Sequence, residues 1–530
     1  MLDIGCLSVF VALVLRLLRK YNSSLPSLPV PSGASWVWGH EKIEFEDDQG
    51  SQWKVWFKQY GKVFRLKSAW RAPDILVIGD PGGLKHMYSA NPYNYRHSHT
   101  QLALVHRTVG YGLVAVEGLP DHRRVRSALS PAFSEGNVRS MGQDMYAAAN
   151  GLQASLTSLL ELHGGSYEID ITRPLSAVAL DIIGRTALAH DFGAVAGDEQ
   201  SRKMLELGAS QDALAIQPAS FVAMMVLRLF PWILALPIPA IEAQLANTKH
   251  ARGIASEIIA RGQDDGRNGR DVLSMLLRAH RRPNSAKSLS EFEICENAVT
   301  VMIAGHGTTS STLAFTIWKL SEDKELQDQL RGEVSSFPAE PSFEQLNNLP
   351  LLDGVCKEGL RMFPPVPRNE KYTHADDVIP LLNPVLDANG AWLKEIAVKK
   401  GQIIHVPTIA VNRDDELWGD GDAFRPTRWL VGHPAETRYC RPGESGVRPA
   451  KELTGGYAGI FTFSEGPRMC LGIRMAIFEF KVILFTLVRH FVFSPADGVE
   501  VATRYGATLT PYVCGKPPNT ELPVKVSLVS

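Results

Sequence analysis

The sequence predicts a mainly α protein with small β-sheets, built as a single large domain behind an N-terminal membrane anchor. Three observations carry that prediction. Helical patterns at 51–60, 285–320, 349–362 and 470–488 outweigh two short strand patterns at 62–68 and 75–78. No internal repeat and no clear linker follows residue 32, so 530 residues, which length alone would divide into three or four domains, read as one. An uncharged, mostly apolar run opens the chain, with basic residues just behind it. The resulting organisation is an anchor over 1–20, a proline hinge over 21–31 and a main domain over 32–530.

Composition narrows the function classes. Lys and Arg total 55 against 56 Asp and Glu, so the net charge is -1 and the electrostatic footprint of a nucleic-acid binder is missing. At 21% charged and 45% hydrophobic residues the chain falls outside disordered, collagenous and many-span membrane proteins. Cysteines stand far apart at 6, 295, 356, 440, 470 and 514, with no C-x-x-C pair. That spacing argues against zinc ribbons, iron–sulfur sites and a disulfide framework, and leaves a cysteine that acts singly.

From the N-terminus, Ile4–Leu15 carries no charge; counted through Leu18 the stretch reaches ~22 Å, short of a ~30 Å hydrocarbon core. Arg16 is tolerable by snorkelling. No basic residue precedes the run and no small-residue cleavage site follows, which favours a retained anchor over a signal peptide. Arg16, Arg19 and Lys20 place the main body on the cytoplasmic side, away from any glycosylation of Asn22. Pro26, Pro29 and Pro31 stiffen the hinge. Ser51–Tyr60 places aromatics at helical spacing before Gly61; strands Lys62–Ser68 and Ile75–Ile78 then flank an Ala72–Asp74 turn. Ile216–Ile241 holds one charge, Arg228, and four prolines, so it reads as core helices or as a lid dipping into a bilayer.

The longest helical pattern lies in Ser285–Leu320 and runs unbroken by proline over 290–320, ~45 Å. Ser290 with Glu293, or Ser288 with Glu291, caps its start. Its middle reads Ala304-Gly305-His306-Gly307-Thr308-Thr309, and each interior glycine costs about 1 kcal/mol relative to alanine. Two explanations stand level: close helix packing, or the approach of a flat ligand. Beyond it, Glu358 and Arg361 share one face of the 349–362 helix. Phe424-Arg425-Pro426-Thr427-Arg428-Trp429 adds a further cation in a turn. Phe463–Gly472 (FSEGPRMCLG) is a turn-rich loop taken to open a helix at about Cys470, where free N–H groups, the helix dipole and Arg468 favour a thiolate. Gly466 and Gly472 leave room there for a flat ligand against the backbone.

This loop resembles the haem-binding F-x-x-G-x-R-x-C-x-G of the cytochrome P-450 superfamily, and the A-G-x-x-T-T, E-x-x-R and F-x-P-x-R-W segments resemble its other motifs, in order. The Trp36–His40 start, the hinge and the long insert at 432–459 look most like fungal microsomal members. The resemblance implies a haem-thiolate monooxygenase with haem b on Cys470, Phe463 covering the thiolate side and Arg468 at a propionate. His122 and Arg126 fit the family's W-R-x-x-R and become further propionate partners. Glu358, Arg361 and Arg428 become the buried network behind the cysteine loop, and Gly307, Thr308 and Thr309 the oxygen-activating face. The family's usual acid is replaced by Gly307, so Thr308 with water, or His306, has to carry protons; His306 is first taken as a packing or surface residue. Reduced coupling, with more hydrogen peroxide released, is the expectation. No nucleotide fingerprint appears, so the resemblance implies electrons from a membrane-bound NADPH-cytochrome reductase, with Arg441, Arg448 and Lys451 as a docking face. It also makes 216–241 a lid facing the membrane, with 95–113 lining the other side of a pocket for a lipophilic substrate. His97, His99 and His106 show no metal spacing. Terpenoid or polyketide secondary metabolism, or xenobiotic oxidation, at the endoplasmic reticulum membrane with the domain facing the cytoplasm, is the implied setting. A haem-thiolate isomerase or dehydratase without O2, and a non-catalytic haem or lipid binder, stand as alternatives.

Overall fold

In the computed structural model of the chain, residue 25 and residues 27–529 are described, apart from 237–238, 265–268, 270, 281–287, 448–454 and 516–519. The 1–20 anchor thus lies outside the described residues, as do 21–24 and Pro26 of the hinge, Arg448 and Lys451. Among the described residues no single helix is long and apolar enough to cross a membrane; one pair, Glu199–Ala215 and Pro218–Leu229, passes together but is bent by 79°.

Helices dominate and the sheets are small, as the sequence predicts. Glu291–Glu322 runs through the main core, its start fixed by Ser290: the Ser290 hydroxyl caps the Glu293 N–H while the Glu293 carboxylate accepts the Ser290 N–H. The Ser290 alternative is therefore the one adopted. Against this long helix pack Thr172–Ile183, Pro350–Met362 and Ile473–His490. A Cβ on Gly305 would stand 2.4 Å from the Cδ1 of Ile183, so the first of the two mid-helix glycines exists for close helix packing.

A second apolar cluster covers a five-stranded sheet in the order 63–66, 75–78, 403–406, 369–373, 95–96. Its first two strands are antiparallel, Val63 opposite Ile78, with Ala69–Arg71 turning between them; the first is shorter than the 62–68 pattern suggested, and the second is the expected 75–78. Ser51–Tyr60 is the helix its aromatic spacing predicts, and Gly61 ends it at φ 78°. A three-stranded sheet (166–170, 523–528, 491–495) and two hairpins complete the fold.

The apolar 216–241 stretch breaks where its prolines fall: helix Pro218–Leu229, a tight turn Pro231–Ala235, and helix Pro239–Asp264. Phe221 and Met225 pack on Trp38, Trp70 and Phe45. Arg228, the one charge, pairs with buried Glu41 at 2.6 Å. The opposite side leaves Val222, Leu229, Trp232 and Leu236 exposed, with Trp232 at 63%.

Candidate active site

The cysteine loop doubles back on itself. Phe463 is buried, its ring edge-on to Tyr457 at 5.9 Å, and its carbonyl accepts the Cys470 N–H at 2.9 Å. Ser464 and Gly466 both take positive φ, 60° and 67°. A Cβ on Gly466 would fall 2.1 Å from the Tyr88 carbonyl oxygen, so this glycine serves the approach of the loop to residues 88–89 and not, as expected, a flat ligand. Gly472 has only Phe133 at van der Waals distance, and its open side keeps the ligand reading. The following helix starts at Ile473, three residues beyond the thiol, because Leu471 and Gly472 still form a turn. Cys470 is exposed on one side, yet the surrounding protein desolvates it and pushes the thiol above its ordinary value, with the Gly472 N–H and Arg126 opposing. The expected lowering by a helix start is therefore corrected: the fold presents a thiol, and coordination to a metal is what would deprotonate it.

The long helix shows the complementary surface. Residues 303–305, 307 and 308 keep partial exposure although Met302, His306, Thr309 and Ser310 around them are buried. Nothing lies within 4 Å of where a Gly307 Cβ would be, so the second glycine borders open space. The Thr308 hydroxyl donates to the Ala304 carbonyl at 2.8 Å. His306 turns inward, Nδ1 2.8 Å from the Met302 carbonyl, and burial lowers its pKa. It is a packing residue.

Segment 109–117 runs from residues 296–300 of the same helix to the cysteine loop. Glu296 accepts the Tyr111 N–H at 2.7 Å, Asn297 the Leu113 N–H at 2.9 Å, and Thr300 donates to Val109 O. At its other end Glu117 meets the Arg468 guanidinium at 3.1 Å, and Val116 O accepts from it at 3.1 Å. His122 is buried, with Nδ1 3.0 Å from the Tyr93 hydroxyl; burial, then Arg468 and Arg126, push its pKa down to about 4, so it is neutral. A cavity of about 260 Å³ is lined by His122, Arg126, Tyr93 and Pro467. The sequence reading missed two participants. Lys371, on strand Asn369–Thr373, is buried without an ion pair among the described residues, and burial followed by Arg468 pushes its pKa down to about 8. His97 donates through Nδ1 to the Glu117 carboxylate at 2.7 Å. No local pattern marks either residue.

Behind the loop, Glu358 accepts from Arg361 Nη2 at 2.8 Å and Nε at 3.0 Å, from Arg428 Nε at 3.0 Å, from Trp429 Nε1 at 2.9 Å and from the Arg425 N–H at 2.8 Å. The Glu358, Arg361 and Arg428 side chains are 0% exposed. Burial pushes the Glu358 carboxyl up, but the two guanidinium groups hold it below its ordinary value. Arg361 also donates to the Asn412 carbonyl, and Asn412 takes the Phe461 N–H at 2.7 Å and donates to Thr462 at 2.8 Å. Asn412 and Thr462, both unread in the sequence, carry the network to the loop.

Haem fits this arrangement on the structure's own terms. An accessible thiol stands in the loop, and among the described residues Arg126 and Lys371 have no carboxylate partner and the buried Arg468 Nε has no acceptor. These are donors for an anionic, flat, metal-bearing group. Among the described residues no cluster of three or more His, Cys, Asp or Glu could bind a metal by protein ligands alone.

A family model described as Cytochrome P450 matches residues 28–522. The chain is similar to the cytochrome P450 monooxygenases claO and claQ of Ampulloclitocybe clavipes, 32% and 30% identical, covering 94% of this chain and 93% and 92% of those proteins. It is 29% identical to cytochrome P450 monooxygenase 128 of Postia placenta, over 94% of this chain and 91% of that protein. With this match over nearly the whole chain, and with an accessible cysteine and an open surface on the long helix, the chain belongs to the cytochrome P450 family, and it is a haem-thiolate monooxygenase.

Proposed function

We propose that Cys470 ligates the haem iron, that Arg126, Arg468, Lys371 and His122 hold its propionates, and that the enzyme inserts one atom of O2 into a lipophilic substrate. The observation that carries this is the exposed Cys470 beside Arg126, a cation with no carboxylate partner among the described residues. When bound, haem supplies oxygen activation and transfer. This chain's residues do the rest. The Tyr93 hydroxyl meets His122 Nδ1 at 3.0 Å; in the tautomer where it donates there, the imidazole proton sits on Nε2 and is free to donate to a propionate. Thr308 moves a proton by giving up its bond to Ala304 O in favour of water, because Gly307 offers no carboxylate and neutral, inward-facing His306 no proton.

Electrons come from NADPH through a separate reductase, one pair for each O2, and the second oxygen leaves as water. The exposed Trp232, Leu236, Val222 and Leu229 support a lid lying on a membrane beside the 1–20 anchor, on the cytoplasmic face of the endoplasmic reticulum. A substrate partitioned in lipid, of terpenoid, polyketide or xenobiotic kind, fits that approach. The test is a reduced-CO difference spectrum of the full chain and of Cys470→Ser, followed by 18O2 turnover with NADPH and reductase. The thiolate-type band and 18O in the product are expected for wild type only; product formed without O2 would establish an isomerase or dehydratase instead.

A further inference from the structure

Where segment 109–117 meets the cysteine loop, the charged groups that act on one another are Arg126, Lys371, Arg468 and Glu117, with His97 and His122 between them. Burial keeps both imidazoles neutral at physiological pH. Three cations linked through Arg468 therefore accompany a single carboxylate, a surplus of two positive charges, and haem carries two propionates. A protein anion in a pocket made for anions needs a reason. Glu117 is well held: it bonds His97 Nδ1 at 2.7 Å, the His97 N–H at 3.3 Å and Arg468 at 3.1 Å.

We propose that Glu117, paired with Arg468, is a residue that sets the charge balance of the propionate pocket, so that the iron keeps a low reduction potential. The inference rests on the haem reading above. A positive charge near the ring stabilises the added electron, and a negative one opposes it; inside a poorly solvated pocket such effects are weakly screened. Removing the carboxylate leaves one uncompensated cation and raises the potential. Removing Lys371 does the reverse. Val116 O anchors Arg468 independently at 3.1 Å, and glutamine matches glutamate in shape, so E117Q changes charge while the guanidinium stays seated.

The test is a spectroelectrochemical titration of the full-chain holoprotein at pH 7 in wild type, E117Q, Glu117→Asp and Lys371→Met. The expected result is an upward shift for E117Q, a downward shift for Lys371→Met and a wild-type value for Glu117→Asp. Shifts of one sign in both charge variants, or no shift, overturn the proposal. If E117Q yields no holoprotein, Lys371→Met decides alone, and the absence of a downward shift overturns it. Failure of the haem reading is distinct: wild type would then show no thiolate-type reduced-CO band before any titration began.

Discussion

Replacing Glu358 removes the acceptor that two fully buried guanidinium groups share. In Glu358→Ala five donors lose their partner: two from Arg361 and one each from Arg428, Trp429 and the Arg425 N–H. Breaking a buried ion pair from one side costs about 3–5 kcal/mol, a large part of a total stability of roughly 5–15 kcal/mol. At ~2.1 cal/mol/K per residue, 530 residues give an unfolding entropy of ~1.1 kcal/mol/K, so a loss of about 4 kcal/mol lowers Tm by about 4 °C. Glu358→Gln is the sharper variant. It leaves no cavity, yet turns an amide NH2 toward guanidinium donors and removes the charge that offsets them. Both variants should melt several degrees early, followed by Soret absorbance, and should carry less haem per polypeptide. A Glu358→Gln protein melting within about 1 °C of wild type, with full haem, would show that packing and not charge holds the network. Because Glu358 titrates below its ordinary value, its contribution is present at neutral pH and is lost as pH falls through that lowered pKa.

Gly307→Glu starts from a Cβ position that no other segment approaches within 4 Å, so it should fold and raise the product-to-NADPH ratio while lowering hydrogen peroxide; an unchanged ratio sinks the proton-relay reasoning. Gly466→Ala meets both a 2.1 Å overlap with the Tyr88 carbonyl and a φ of 67°, and should cost at least ~1–2 kcal/mol and most of the haem incorporation, read by CO difference spectra. Glu479 is buried with one carboxylate oxygen unpartnered and a pKa raised well above its ordinary value by desolvation. Its raised pKa favours the fold below about pH 4.3 and less as pH rises, so Glu479→Gln should stabilise the protein at pH 7–8 and flatten the Tm–pH curve.

Local sequence made some of this legible. Aromatic spacing and a terminal glycine located helix 51–60 to the residue, and the Ser290–Glu293 pair located the start of the long helix, because both signals are complete within a few residues. The two mid-helix glycines could not be told apart: their difference is Ile183 opposite one and open space opposite the other. Likewise Gly466 answers to a backbone carbonyl at residue 88, and the helix after Cys470 starts late because a turn through Leu471 and Gly472 intervenes. Asn412, Thr462, Lys371 and Glu117 have no motif, since each is defined by a partner distant in sequence.

The approach of the cysteine loop to residues 88–89 has a kinetic consequence. Ser89 hydrogen-bonds Glu465 across a sequence separation of 376, and only a glycine at 466 fits against the carbonyl of Tyr88. Contacts of such separation close a very large loop and raise the contact order, which slows folding. A nascent chain therefore cannot build the thiol's resting place until nearly all of it has left the ribosome. C-terminal truncation a few residues short of the loop removes the site outright, whereas the sheet strands at 63–66 and 75–78 pair early and locally.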